Sequence, residues 1–121
     1  MISESSEQKK FVARVRSFFP DVIIFAVPNG GGRSPREGAS LKAEGVLAGI
    51  PDLMIPEPRG GFNGLFIEMK RANVKSAPKH QREMMDSLRA RGYKVELCSG
   101  ADAAWSCFND YMLLQNDKSR V

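Results

Sequence analysis

Apolar positions recur with helical spacing at the start of the chain. Phe11, Val12, Val15, Phe18 and Phe19 make one face and predict a helix over residues 4–19, ended by Pro20-Asp21. Residues 22–27 are a nearly continuous apolar run rich in branched side chains, the pattern of a buried strand. Pro28-Asn29-Gly30-Gly31-Gly32 breaks that strand and opens a loop expected to be flexible. A short helix fits residues 37–47, with Gly49 as its stop. Residues 53–55 read as a strand after Pro51-Asp52. The loop 56–64, with two prolines and three glycines, reverses the chain into a strand over 65–70, so these two strands are expected to pair antiparallel.

A second long helix is expected from Pro78, which suits a first turn, to residue 91, with Gly92 as its stop. Residues 93–98 form another strand. Ser99 with Asp102 resembles a capping box that opens a last helix over 100–114, and the polar stretch 115–121 is expected to fray. The order is helix, three strands, helix, strand, helix. It defines an α/β class with a mixed sheet, and a chain of 121 residues is expected to form one domain.

Composition narrows the class. Apolar residues make up 42% and charged residues 26%, ordinary for a water-soluble domain. No apolar run approaches the roughly 20 residues of a membrane span, and the polar stretch 1–10 does not read as a signal peptide. Cys98 and Cys107 lie in apolar surroundings, far from another possible ligand pair. They read as a reduced pair rather than a disulfide framework or a zinc site, which implies a cytoplasmic protein. The net charge of +4 favours a polyanionic partner such as nucleic acid. The basic residues are grouped: Arg33, Arg36 and Lys42 in one segment, Lys70, Arg71, Lys75, Lys79 and Arg82 in another.

The chemistry concentrates in Gly49-Ile50-Pro51-Asp52-Leu53-Met54-Ile55 and Gly64-Leu65-Phe66-Ile67-Glu68-Met69-Lys70. Strand alternation puts Glu68 and Lys70 on one side and Ile67 and Met69 on the other. Two charges on an otherwise apolar strand are costly unless they pair or bind something. If the neighbouring strand is antiparallel, Asp52 at its start approaches Glu68. Two carboxylates beside a lysine suit a hard oxygen-liganded cation such as Mg2+, with Mn2+ able to substitute, and such an ion bridges to phosphate. The ion would activate a water, while Lys70 orients that water or stabilises the transition state.

Pro51-Asp52 followed by Glu68-Met69-Lys70 resembles the PD-(D/E)XK signature of restriction-endonuclease-like nucleases. With Pro28-Asn29-Gly30-Gly31-Gly32-Arg33-Ser34, Gly45-Val46-x-Ala48-Gly49-Ile50-Pro51-Asp52, Phe66-Ile67-Glu68-Met69-Lys70 and Gln81, the chain is similar to the VRR-NUC family over residues 4–111, and above all to its small stand-alone members in phages and bacteria. That resemblance implies a PD-(D/E)XK core (αβββαβ plus a C-terminal helix). It makes Asp52, Glu68 and the backbone carbonyl of Met69 metal ligands, Lys70 the catalytic lysine, and Gln81 a residue near that lysine. A glutamate on the first helix usually completes the acidic cluster. Glu7 and Glu4 are both available, and Glu7 is preferred because its spacing to Phe11 and Val15 sets it on the inward face.

The resemblance further implies a homodimer that cuts branched DNA, such as Holliday junctions, in the bacterial cytoplasm. Arg33 and Arg36 on the glycine loop, with Lys42, Arg71 and Lys75, are the expected contacts to the DNA backbone. The competing readings are the same chemistry on flaps, forks or duplex DNA, and a DNA-binding module without activity. Plainer roles are expected elsewhere. His80 should be a surface residue in a first helical turn, Trp105, Phe108 and Tyr111 core residues, and Lys79, Arg82, Arg89 and Arg91 a solvated face.

Overall fold

The computed structural model describes residues 2–29 and 34–117. Helix α1 (Glu4–Phe18) starts where the Ser3 hydroxyl accepts the Ser6 N–H, and its buried side chains Glu7, Phe11 and Val15 recur every four residues. The expected strand over 22–27 is much shorter. Only β1 (Phe25–Ala26) pairs, as Phe25↔Met54 and Ala26↔Leu53. Both residues of β1 are exposed, as is Ile23, and Ile24 just before the strand is the buried one of this run. The reason is location: among the described residues β1 is an edge strand, bonded to β2 alone, so a continuous apolar run does not require burial on both faces.

Helix α2 (Pro35–Ala43) begins earlier than the pattern implied, because the Ser34 hydroxyl caps the Glu37 N–H and Pro35 occupies the first turn. It also ends earlier. Gly45 (φ +107) closes it, with the Val46 N–H turned back to Leu41 O, so Gly45 and not Gly49 is the stop. No residue of α2 is buried.

Strands β2 (Leu53–Ile55) and β3 (Leu65–Lys70) pair antiparallel, and β4 (Lys94–Ser99) joins β3 in parallel. The sheet order β1-β2-β3-β4 makes it mixed, with β3 inside and buried at all six positions. Its two faces have different covers. Leu53, Ile55, Leu65, Ile67 and Met69 pack with Phe11 and Val15 of α1 and with Ala104, Phe108 and Tyr111 of α4 (Ala101–Met112). Phe66 and Val95, on the opposite face, pack with Met85 of α3 (Lys79–Arg89).

Two expectations at helix ends are corrected. Ser99 does not cap α4: its hydroxyl donates to Val74 O, and α4 is capped from α1, whose Glu7 Oε1 accepts the Ala101 N–H at 3.1 Å. The tail is not frayed as far as Asp117. Gly60 N–H donates to Gln115 O, and the buried Asp117 carboxylate accepts the Gly61 N–H at 2.6 Å. Arg59 completes this latch by donating to Met112 O and Leu114 O. Cys98 and Cys107 are free and neighbours. No helix among the described residues is long and apolar enough to cross a membrane.

Candidate metal centre and its surroundings

The antiparallel register Leu53↔Ile67 sets Asp52 across from Glu68 at the mouth of the β2–β3 ladder. Asp52 Oδ2 accepts the Met69 N–H at 2.7 Å, which fixes the carboxylate against the partner strand. Pro51, fully buried, and Gly49 (φ +85) shape the approach to that strand. A Cβ on Gly49 would lie 3.2 Å from His80 Cδ2 and 3.3 Å from His80 O. Glycine therefore lets the first turn of α3 close on the segment that leads to Asp52, in addition to tolerating its positive φ.

Glu68 is 2% exposed, and among the described residues its Oε1 is buried with no hydrogen-bond partner. Burial and, after it, the neighbouring Asp52 carboxylate push its pKa up to about 8, against the opposing pull of Lys70. Lys70 Nζ lies 3.5 Å from Glu68 Oε2 and donates to Gln81 Oε1 at 2.9 Å. The lysine is thus held between β3 and α3, its ammonium beside the acidic pair rather than free in solvent.

The third carboxylate of the cluster is Glu4. Oxygens of Glu4, Asp52 and Glu68 lie within 4.8 Å of one another. Glu7, the glutamate preferred from its spacing, is not in this group: it is buried, and its Oε1 accepts the Ala101 N–H at the start of α4. The inward spacing of Glu7 is real, since it shares the buried stripe with Phe11 and Val15. An acid one turn deeper in the fold is nevertheless claimed by the nearest unpaired N–H groups, whereas Glu4, at the helix start, reaches the strand ends.

The residues present fit a divalent cation. Two oxygens on one Mg2+ at about 2.1 Å lie up to about 4.2 Å apart, so the observed spread closes with small side-chain rotations. The unpartnered, desolvated Glu68 oxygen is the kind of group that a cation satisfies.

The basic residues are dispersed around this centre. Arg36 and Lys42 are exposed on α2, and Arg71 and Lys75 on the segment after β3, where Lys75 Nζ donates to Ala72 O. Arg33 lies outside the described residues. Arg82, Arg89 and Arg91 donate to the backbone carbonyls of Ala77, Val95 and Ser87, so that face of α3 is more structural than its charge suggested. Phe108 and Tyr111 are core residues. Trp105 packs partly buried against Phe19 and Phe108, with Arg14 stacked 4.3 Å over its ring. His80 is exposed in the first turn of α3.

A mixed four-stranded sheet between helices, with carboxylates facing each other at one end of the β2–β3 pair, defines a restriction-endonuclease-like core. The VRR-NUC domain profile matches residues 34–102, more than half of the chain, and the protein belongs to that family. A solved structure named VRR_NUC domain protein is similar at a TM-score of 0.78 and 28% identity, with 96% of this chain and 93% of that one covered. Comparison with curated proteins gives no significant match. Membership of this family makes the protein a nuclease-type, DNA-processing one of a kind that typically uses a divalent metal.

Proposed function

We propose that the protein is a Mg2+-dependent, structure-selective DNA endonuclease that hydrolyses phosphodiesters in branched DNA in the manner of a Holliday-junction resolvase. The observation that carries this reading is Glu68, a buried carboxylate with an unpartnered oxygen, facing Asp52 and Glu4 and flanked by Lys70.

Asp52, Glu68 and Glu4 would hold the cation, with the Met69 carbonyl as a further ligand. When bound, it supplies positive charge to the phosphate and acidity to a coordinated water. The chain's own groups do the rest. Asp52 is oriented by the Met69 amide, so its carboxylate has a fixed direction. Lys70, steadied by Gln81, presents its ammonium where negative charge builds up on the phosphate, and it can position the attacking water. Arg36, Lys42, Arg71 and Lys75 would hold flanking phosphates.

A homodimer gives two such centres related by a two-fold axis, as symmetric cuts in a four-way junction need. Supporting a second copy, Ile23 and Phe25 are exposed at edge strand β1, which among the described residues pairs with β2 alone. The test is cleavage of a labelled four-way junction and of a linear duplex of matching sequence, alongside sedimentation of the free protein. Junction-selective cuts by a dimer are expected. Equal cleavage of both substrates would remove the junction selectivity, and no cleavage in any divalent ion would remove the enzyme.

A further inference from the structure

Next to the acidic cluster lies a second feature, a cleft of about 340 Å3 that shares Gln81 with it. Gln81 lines the cleft while its Oε1 accepts from Lys70 Nζ, so the cleft opens directly beside the proposed cleavage centre. Its walls divide by chemistry. Lys42 of α2 and His80 of α3, with Asn29 and Gln81, supply the polar lining, and Val46, Ala48 and Ile50 the apolar part. Among the described residues no carboxylate lines it, in contrast to the three acids a few residues away. Gly49 sits buried at the junction of the two walls, and its missing side chain is what lets the His80 turn close the cleft.

Size and lining together limit the occupant. A phosphate alone needs neither an apolar wall nor this volume, while a duplex is too wide. The volume falls at the low end of the roughly 300–1,000 Å3 of small-molecule sites, the scale of one nucleotide. We propose that this cleft receives a single unpaired nucleotide of the bound DNA, its base against Val46, Ala48 and Ile50 and its phosphate on Lys42 and His80. This rests on the nuclease reading above and adds what it lacks, a means by which so small a fold selects its substrate. A base inside an intact duplex must be unstacked and unpaired before it enters, whereas a base at a branch point, bulge or strand end is already free. Selectivity for branched DNA then arises within each subunit, whatever the spacing of the two centres.

The test uses the full-length protein in Ca2+ in place of Mg2+, with two probes: a DNA duplex carrying one unpaired nucleotide, and the same duplex without it. Ala48→Trp, at an exposed position in the lining, fills the cleft and changes none of Asp52, Glu68 and Lys70, which lie outside that lining. Wild type is expected to bind the bulged duplex about tenfold more tightly, and Ala48→Trp to lose that preference while its affinity for plain duplex stays within about twofold. Should Ala48→Trp fold poorly, Lys42→Ala serves as the second variant, expected to weaken binding of the bulged duplex more than of the plain one. Equal binding of both probes by wild type overturns the proposal, as does an unchanged preference in a folded variant. Magnesium-dependent nicking by wild type is measured in parallel: its absence would remove the nuclease reading, while the binding preference reports on the cleft by itself.

Discussion

Asp52 and Glu68 face each other across the antiparallel β2–β3 ladder, and the Met69 amide, next to Glu68, donates a 2.7 Å hydrogen bond to Asp52. The backbone of one strand thereby aims the carboxylate of the other. Asp52→Asn keeps the shape of the side chain and removes one charge, so the fold should survive while cation binding suffers. Cleavage by this variant is expected to fall on the order of 100-fold or more, with an unchanged circular dichroism spectrum. Activity near that of wild type would detach Asp52 from the chemistry.

Glu68 has a cost when no cation is bound. Its folded pKa is raised from 4.5 to about 8, chiefly by burial, so between those values the folded chain holds a proton that the unfolded chain has released. Stability therefore falls as pH rises through that window, the reverse of a salt-bridged carboxylate. Glu68→Gln, which stays neutral, should remove most of this slope. In chelator the variant is expected to melt higher than wild type at pH 8 and nearly level with it at pH 5, while its cleavage is lost. A melting difference independent of pH would contradict the assignment.

The two glutamates of the first turn of α1 should separate cleanly. Glu7→Gln weakens the cap on α4, at a cost of about 1 kcal/mol and a melting point lower by about 3–6 °C, with cleavage by the folded protein retained. Glu4→Gln should do the opposite, leaving melting unchanged and reducing cleavage and metal affinity. Thermal melts and divalent-ion titrations on the two variants check both halves.

Gln81 acts through Lys70, which it holds at 2.9 Å. Gln81→Ala frees the ammonium, so kcat should drop by about 10- to 100-fold with KM little changed, and Gln81→Asn should recover less than half of the loss because its amide is shorter. A change confined to KM would make Gln81 a DNA contact instead.

The sequence was readable where its signals are local. The 2-period of Phe66, Glu68 and Lys70, the reversing loop before them and the Pro51-Asp52 entry were enough to bring Asp52 and Glu68 together, as the register shows. The helical spacing of Phe11 and Val15 and the Gly92 stop were equally direct. What was missed depended on contacts distant in the chain. Glu7 has the inward spacing of a site residue, yet its partner is Ala101, 94 residues away, so nothing local distinguished a capping acid from a metal ligand. The tail looked polar and loose because its anchors, Arg59 and Gly61, lie on a loop far earlier. Ser34-Pro35 is itself a local helix start, a capping hydroxyl followed by a first-turn proline. The cleft beside Gln81 draws on α2, the segment before β2 and α3, a grouping that only the fold creates.

The central claim is that the Glu4, Asp52, Glu68 and Lys70 cluster is a metal-dependent centre for cutting DNA. Nicking of supercoiled plasmid by purified wild type and Lys70→Ala, each in Mg2+ and in chelator, tests it most directly. The account predicts nicking by wild type in Mg2+ only, and a loss on the order of 1,000-fold in Lys70→Ala with folding intact. Nicking that persists in chelator, or that Lys70→Ala carries out as well as wild type, would contradict it.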